Sequence, residues 1–217
     1  MRAGVSGQIR TVFSRDGDDV TLTCLNMVNP DCSSTEWLFS YNGSAIVELV
    51  TDGKISVENR ERADRLSLGS DCSLNINKVR PQDAGDYTCR QSLSGDRLYG
   101  TDARVFLRVL EIRPQTQNTE MKLGSSVTLY CLLNTERSEC NSQTLPDGLN
   151  LIWVDETGTD LSLTDSRLKI SSSIYCPRAL TVRLQHHDNN RKWTCQLTDR
   201  GEVKTSVSYM TTWTGRK

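Results

Sequence analysis

Eight cysteines in a chain of 217 residues stand in two matching sets, at 24, 32, 72 and 89 and again at 131, 140, 176 and 195. The gaps are 8, 40 and 17 residues in the first set and 9, 36 and 19 in the second. Spacing repeated in this way means one fold used twice, and a repeat decides the architecture before any local reading does. No Cys-x-x-Cys pair occurs, which is what a cytosolic metal site would carry. The cysteines therefore read as disulfides, formed in an oxidising compartment. Spacing alone leaves three pairings open in each set.

The flanking residues narrow the choice. Val20, Leu22 and Cys24 alternate on one face, as a half-buried strand requires. Asp83-Ala84-Gly85-Asp86-Tyr87-Thr88-Cys89 reads as a turn entering a second strand, and Trp37 follows Cys24 by 13 residues. Cys, Trp and Tyr-x-Cys at these distances resemble the immunoglobulin domain, over nearly all of residues 8–110. The resemblance implies a Cys24–Cys89 bridge joining two sheets, Trp37 packed on that bridge, and a Tyr87 hydroxyl that ties down a corner. The second set repeats the pattern in Ser126–Cys131, in Leu151–Val154 around Trp153, and in Arg191–Cys195. There Trp193 replaces the corner tyrosine and cannot make the same hydroxyl bond. The expected fold class is all-β, two immunoglobulin-like Greek-key β-sandwiches in tandem, each with two disulfides. Residues 1–110 form a variable-type domain, because 52 residues separate Trp37 from Cys89 and leave room for an extra hairpin at Ile46–Val50 and Lys54–Val57. Residues 111–217 form a constant-type or intermediate domain, with only 42 residues between Trp153 and Cys195. No Gly/Ser-rich linker lies between them, which implies a fairly stiff rod.

In immunoglobulin topology the positions of Cys32 and Cys72 meet at one end of the sandwich, as do those of Cys140 and Cys176. The resemblance therefore pairs 24 with 89, 32 with 72, 131 with 195 and 140 with 176. An Arg65–Asp83 pair at the base is structural in the family. The family's usual contact surface is the sheet that carries the tryptophan. On its strands Trp37, Phe39, Tyr87, Cys89, Val105 and Leu107 point in, so Leu38, Arg90, Arg104 and Phe106 point out. Leu38 and Phe106 are expected to form an exposed apolar patch with an arginine rim, and Arg97, Leu98 and Tyr99 of the neighbouring loop to extend it. The following strand lacks the Phe-Gly-x-Gly bulge of rearranged antigen receptors. Asn42-Gly43-Ser44 is a glycosylation sequon in the turn after the tryptophan strand.

A formal net charge of −1 argues against a nucleic-acid partner. No apolar run reaches the ~18 residues of a membrane span, and the first residues lack the apolar core of a secretory leader. A leader and a membrane anchor are therefore expected outside this chain. His186 and His187 sit in a polar turn without further ligands, and no nucleophile elbow, phosphate loop or His-Glu-x-x-His motif occurs. The reading is a binding protein with no enzymatic activity, cofactor, metal or small-molecule substrate. The architecture resembles nectins, junctional adhesion molecules and two-domain immune receptors, which implies an extracellular recognition or adhesion module. Its partner would be a protein on another cell or a second copy of itself. A secreted or matrix protein with a structural role is the alternative.

Overall fold

The runs in which apolar and polar residues alternate are the runs that pair into sheets. The computed structural model describes residues 9–213 apart from 26, 59, 94–96, 99–100, 138–142 and 173–174. The chain divides into two compact units, Met1–Val109 with Asn134–Ser138, and Leu110–Leu133 with Glu139–Lys217. In the first unit the strands are β1 (Ile9–Arg15), β2 (Val20–Leu22), β3 (Thr35–Ser40), β4 (Val47–Thr51), β5 (Lys54–Ile55), β6 (Leu66–Leu68), β7 (Leu74–Ile76), β8 (Gly85–Leu93) and β9 (Arg97–Leu98), and β10 (Ala103–Pro114) starts there and continues past Val109 into the second. One sheet orders β10-β8-β3-β4-β5, with β9 on β8 and β1 on β10, and the other orders β2-β7-β6. The first is called the front sheet below.

Their inner faces meet around Trp37, which is fully buried among Leu22, Leu74, Ile76, Tyr87, Val105 and Leu107. Each such side chain contributes about 1.5–3 kcal/mol by leaving water. Trp37 Nε1 donates to the Cys72 carbonyl at 2.9 Å, so its one polar atom is satisfied. Cys24 and Cys89 join the two sheets across 65 residues of chain, and the closed loop restricts the unfolded state by roughly 4 kcal/mol in the entropy model. The Tyr87 hydroxyl donates to the Asp83 carbonyl at 2.6 Å, and burial pushes its pKa far up, so it serves as a neutral donor. Asp83 also takes both terminal nitrogens of Arg65, at 2.6 and 2.8 Å. Gly85 opens β8 against the Phe39 ring, where a Cβ would overlap ring carbons. The additional hairpin forms as β4 and β5, with Val50 opposite Ile55 and Thr51 opposite Lys54.

The second unit holds β11 (Ser126–Asn134), β12 (Gln143–Thr144), β13 (Leu149–Val154), β14 (Lys169–Ile170), β15 (Tyr175–Cys176), β16 (Arg178–Arg183), β17 (Arg191–Asp199) and β18 (Glu202–Thr211). Here β14-β16-β11 face β13-β17-β18, and the Cys131–Cys195 bridge links β11 to β17. Trp153 and Trp193 are both fully buried. The corner survives without its tyrosine. Trp193 Nε1 donates to Thr211 Oγ1 at 3.1 Å, and Thr211 Oγ1 donates to the Asp188 carbonyl at 2.6 Å. Threonine from the last strand thus supplies the hydroxyl that Trp193 lacks. Asp188, its side chain fully buried, binds Arg167 at 3.0 Å and Arg191 at 2.9 Å, as Asp83 binds Arg65. Cys176 is disulfide-bonded, and Cys140 lies outside the described residues. Among the described residues, no helix is long and apolar enough to cross a membrane.

Candidate partner-binding surface

The outer side of the front sheet is set by register. Leu38 lies opposite Thr88 on β8 and Glu48 on β4, and Thr88 lies opposite Arg104 on β10. Directly opposed residues share a face, so Leu38 points outward with Arg104. Its exposure is nevertheless only 9%, which corrects the expectation of an exposed leucine: its neighbours on this face cover it. Phe106 is half-buried, with the Arg104 guanidinium 5.4 Å from its ring centroid. The arginine rim is also paired rather than free. Arg90 lies opposite Glu36 and bonds its carboxylate at 2.5 Å, while Arg104 binds Asp86. The Asp86 hydrogen bond raises the Arg104 pKa still further, so that charge is permanent. The face therefore carries a buried leucine and a half-buried phenylalanine beside two cross-strand ion pairs. The same register sends Trp37 and Tyr87 inward as core rather than surface. Arg97 and Leu98 lie on β9 opposite Leu93 and Ser92, and Tyr99 falls outside the described residues.

Among the described residues, the large exposed apolar groups of this unit lie elsewhere, at Ile9 on β1, at the β4–β5 hairpin and at one loop end. The loop between β2 and β3 shows Leu25, Met27 and Val28 at 39, 40 and 48% exposure. Two devices hold this loop. The first is Gln91, itself buried on β8. Its Oε1 accepts from the Val28 and Asn29 amides at 2.6 and 2.8 Å, and its Nε2 donates to the Asn29 carbonyl at 3.0 Å and Thr35 Oγ1 at 2.9 Å. The second is the Cys32–Cys72 bridge. Both of these cysteines adopt a left-handed backbone, each with φ of 59°, within an Asp-Cys-Ser triplet. In each triplet the aspartate accepts from the serine amide, at 2.8 Å from Ser33 to Asp31 and 3.2 Å from Ser73 to Asp71. Hydrogen bonds from Ser33 and Ser73 hold the Asp31 and Asp71 carboxyls below the usual range. Gly53 closes the arrangement from β4–β5, where φ is +69° and a Cβ would run into the Cys32 carbonyl. The repeated Asp-Cys-Ser triplet is legible in the sequence. Nothing local marks Gln91, because Val28, Asn29 and Thr35, which it binds, lie 56–63 residues away.

Asn42 is exposed, in the turn that follows β3. Among the described residues, no group of three or more His, Cys, Asp or Glu side chains gathers as metal ligands.

The sequence profile of the immunoglobulin V-set domain matches residues 9–110. The match covers a little under half of the chain, and over those residues the chain is similar to immunoglobulin V-set domains. Among curated proteins it is similar to the CXADR-like membrane proteins of Rattus norvegicus, Mus musculus and Homo sapiens, each 31% identical over 129 residues. The matched stretch is 52% of this chain and 34% of each relative, so the chain spans about a third of their length. The V-set match covers Leu38, Arg90, Arg104 and Phe106 of the front sheet and the loop end held by Gln91 and Cys32–Cys72, which puts both candidate surfaces in the matched domain.

Proposed function

We propose that this chain is the extracellular part of a cell-surface recognition or adhesion receptor, and that its V-set domain binds a protein partner. The observation that carries the reading is the preorganised loop end beside the front sheet. Leu25, Met27 and Val28 are held open to solvent by a buried glutamine and a second disulfide. A fixed loop loses little freedom on binding, so its apolar area converts to affinity more fully than that of a mobile loop. The paired arginines Arg90 and Arg104, with Leu38 and Phe106, form the adjoining sheet surface, and Arg97, Leu98 and Tyr99 are proposed as further contacts. The relatives are membrane proteins by name, which favours a membrane anchor over a secreted or matrix form. Asn42 is the proposed glycan acceptor, and Cys140 the proposed partner of Cys176.

The test is binding of the purified chain to a panel of cells, with variants on each surface. Met27→Asp and Phe106→Ala are each expected to weaken binding about thirtyfold, which is ~2 kcal/mol at a central contact. Thr23→Ala, on the other side of the sandwich, is expected to leave it unchanged. Unaltered binding by both variants, with intact folds, would exclude this surface. A peptide mass map of the same secreted protein checks the glycan on Asn42 and the Cys140–Cys176 link.

A further inference from the structure

The front sheet ends at β5, which pairs with β4 and with no other strand among the described residues. Such an edge presents unpaired backbone donors and acceptors, and proteins usually blunt it. Ile46 and Val57, at the far end of the hairpin, are 66 and 77% exposed, and a shallow open groove runs between them along Glu48, Lys54 and Glu58. The ladder fixes which backbone groups face outward. Thr51 lies opposite Lys54, and the Ser56 amide donates to the Leu49 carbonyl at 2.9 Å. The backbone groups of Lys54 and Ser56 are therefore turned toward β4, and those of Ile55 and Val57 toward the open edge.

We propose that this edge pairs antiparallel with the same edge of a second copy of the chain, about a two-fold axis at Ser56. The sequence Lys54-Ile55-Ser56-Val57-Glu58 is complementary to itself in that register. Ile55 meets the other copy's Val57 as a hydrogen-bonded pair, twice over, which satisfies the outward groups of both. Lys54 meets the other copy's Glu58, also twice. Both side chains are exposed, and neither has an ion-pair partner among the described residues. A lone edge lysine would repel pairing, and Glu58 at the mirrored position turns it into an attraction. Shifting the register by one step in either direction sets Asp52 against Glu58, or Lys54 against Arg60, so the charges select the Ser56-centred register. Val57 and Glu58 follow β5 in a turn, and pairing would draw them into the strand. An axis that relates one patch to itself gives a closed dimer.

The inference goes beyond the front-sheet and loop-end reading and uses a different surface, so the two can fail separately. Sedimentation of the whole chain up to about 1 mM, the weak end of specific association, reads the dimer. Lys54→Glu and Glu58→Lys, each alone, are expected to weaken self-association at least tenfold. The double reversal is expected to restore it, as is a mixture of the two single variants, whereas Thr23→Ala, away from both surfaces, is expected to leave it unchanged. Ser56→Cys is expected to cross-link two chains, because opposed residues of a non-hydrogen-bonded pair sit about 4.5 Å apart, within disulfide reach. A wild-type chain that stays monomeric throughout the range overturns the proposal. So do single reversals that dimerise as tightly as wild type, or a Ser56→Cys chain that does not cross-link.

Discussion

At the scale of single residues, the two sandwiches solve one problem with different atoms. A backbone carbonyl at the base turn, Asp83 in one unit and Asp188 in the other, needs a buried donor. Tyr87 supplies it directly. Trp193 cannot, so the task passes to Thr211, which also receives the indole N–H. The difference has a measurable consequence. Tyr87→Phe removes one buried hydrogen bond and is expected to cost about 1–2 kcal/mol. Thr211→Val keeps the shape but strands both the Asp188 carbonyl and the Trp193 N–H, and is expected to cost about 2–4 kcal/mol. Thr211→Ser keeps the hydroxyl and should recover most of that loss. Urea unfolding of the three variants checks the order, and equal losses for Phe and Val would contradict it.

At the scale of elements, Gln91 makes the loop between β2 and β3 behave as part of the sheet. Gln91→Leu fills the same space and leaves the Val28 and Asn29 amides without acceptors. Hydrogen exchange should read this directly: both amides are expected to be slow in the native chain and to lose that protection in the variant, while Trp37 and Cys89 keep theirs. Unchanged exchange at Val28 and Asn29 would mean that Cys32–Cys72 alone holds the loop. The same elements show what sequence reading reaches. Strand alternation around Cys24, Trp37, Cys89 and Cys131 is legible because its cause is local and has a period of two. So is the β4–β5 hairpin, from the length between Trp37 and Cys89. The direction of Leu38 is legible for the same reason, but its exposure is not. Exposure depends on which side chains of β4, β8 and β10 lean over it, and those strands are distant in sequence. The ion pairs of Arg90 with Glu36 and Arg104 with Asp86 escape local reading for the same cause, at separations of 54 and 18 residues.

At the scale of the whole molecule, each unit stakes part of its stability on a buried carboxylate held by arginine. In the first unit Glu136 takes two bonds from Arg108, both at 3.0 Å. In the second, Asp188 and Asp165 are bound by Arg167 and Arg191. Burial pushes all three carboxyls up, but the arginine hydrogen bonds outweigh it and hold them below the usual carboxylate range. A group whose folded pKa is depressed adds stability above its unfolded pKa, about 4, and loses it as pH falls through the folded value. Asp16 runs the other way, since burial raises its carboxyl. Asp31, Asp71 and Asp155 are held low within exposed turns, where solvent weakens the effect. The balance lies with the three arginine-bound groups. Stability is therefore expected to be nearly level from pH 7 to about 5 and to fall steeply below about 4. Urea midpoints at a series of pH values measure the fall. Asp188→Asn isolates its source: at pH 7 the variant loses roughly 3–5 kcal/mol, as expected for a broken buried pair. That deficit should shrink as pH drops, because the native aspartate is then protonated too. A deficit that stays constant down to pH 2 would show that the arginines bind Asp188 equally well in both protonation states, and would remove the carboxylates as the cause of acid unfolding.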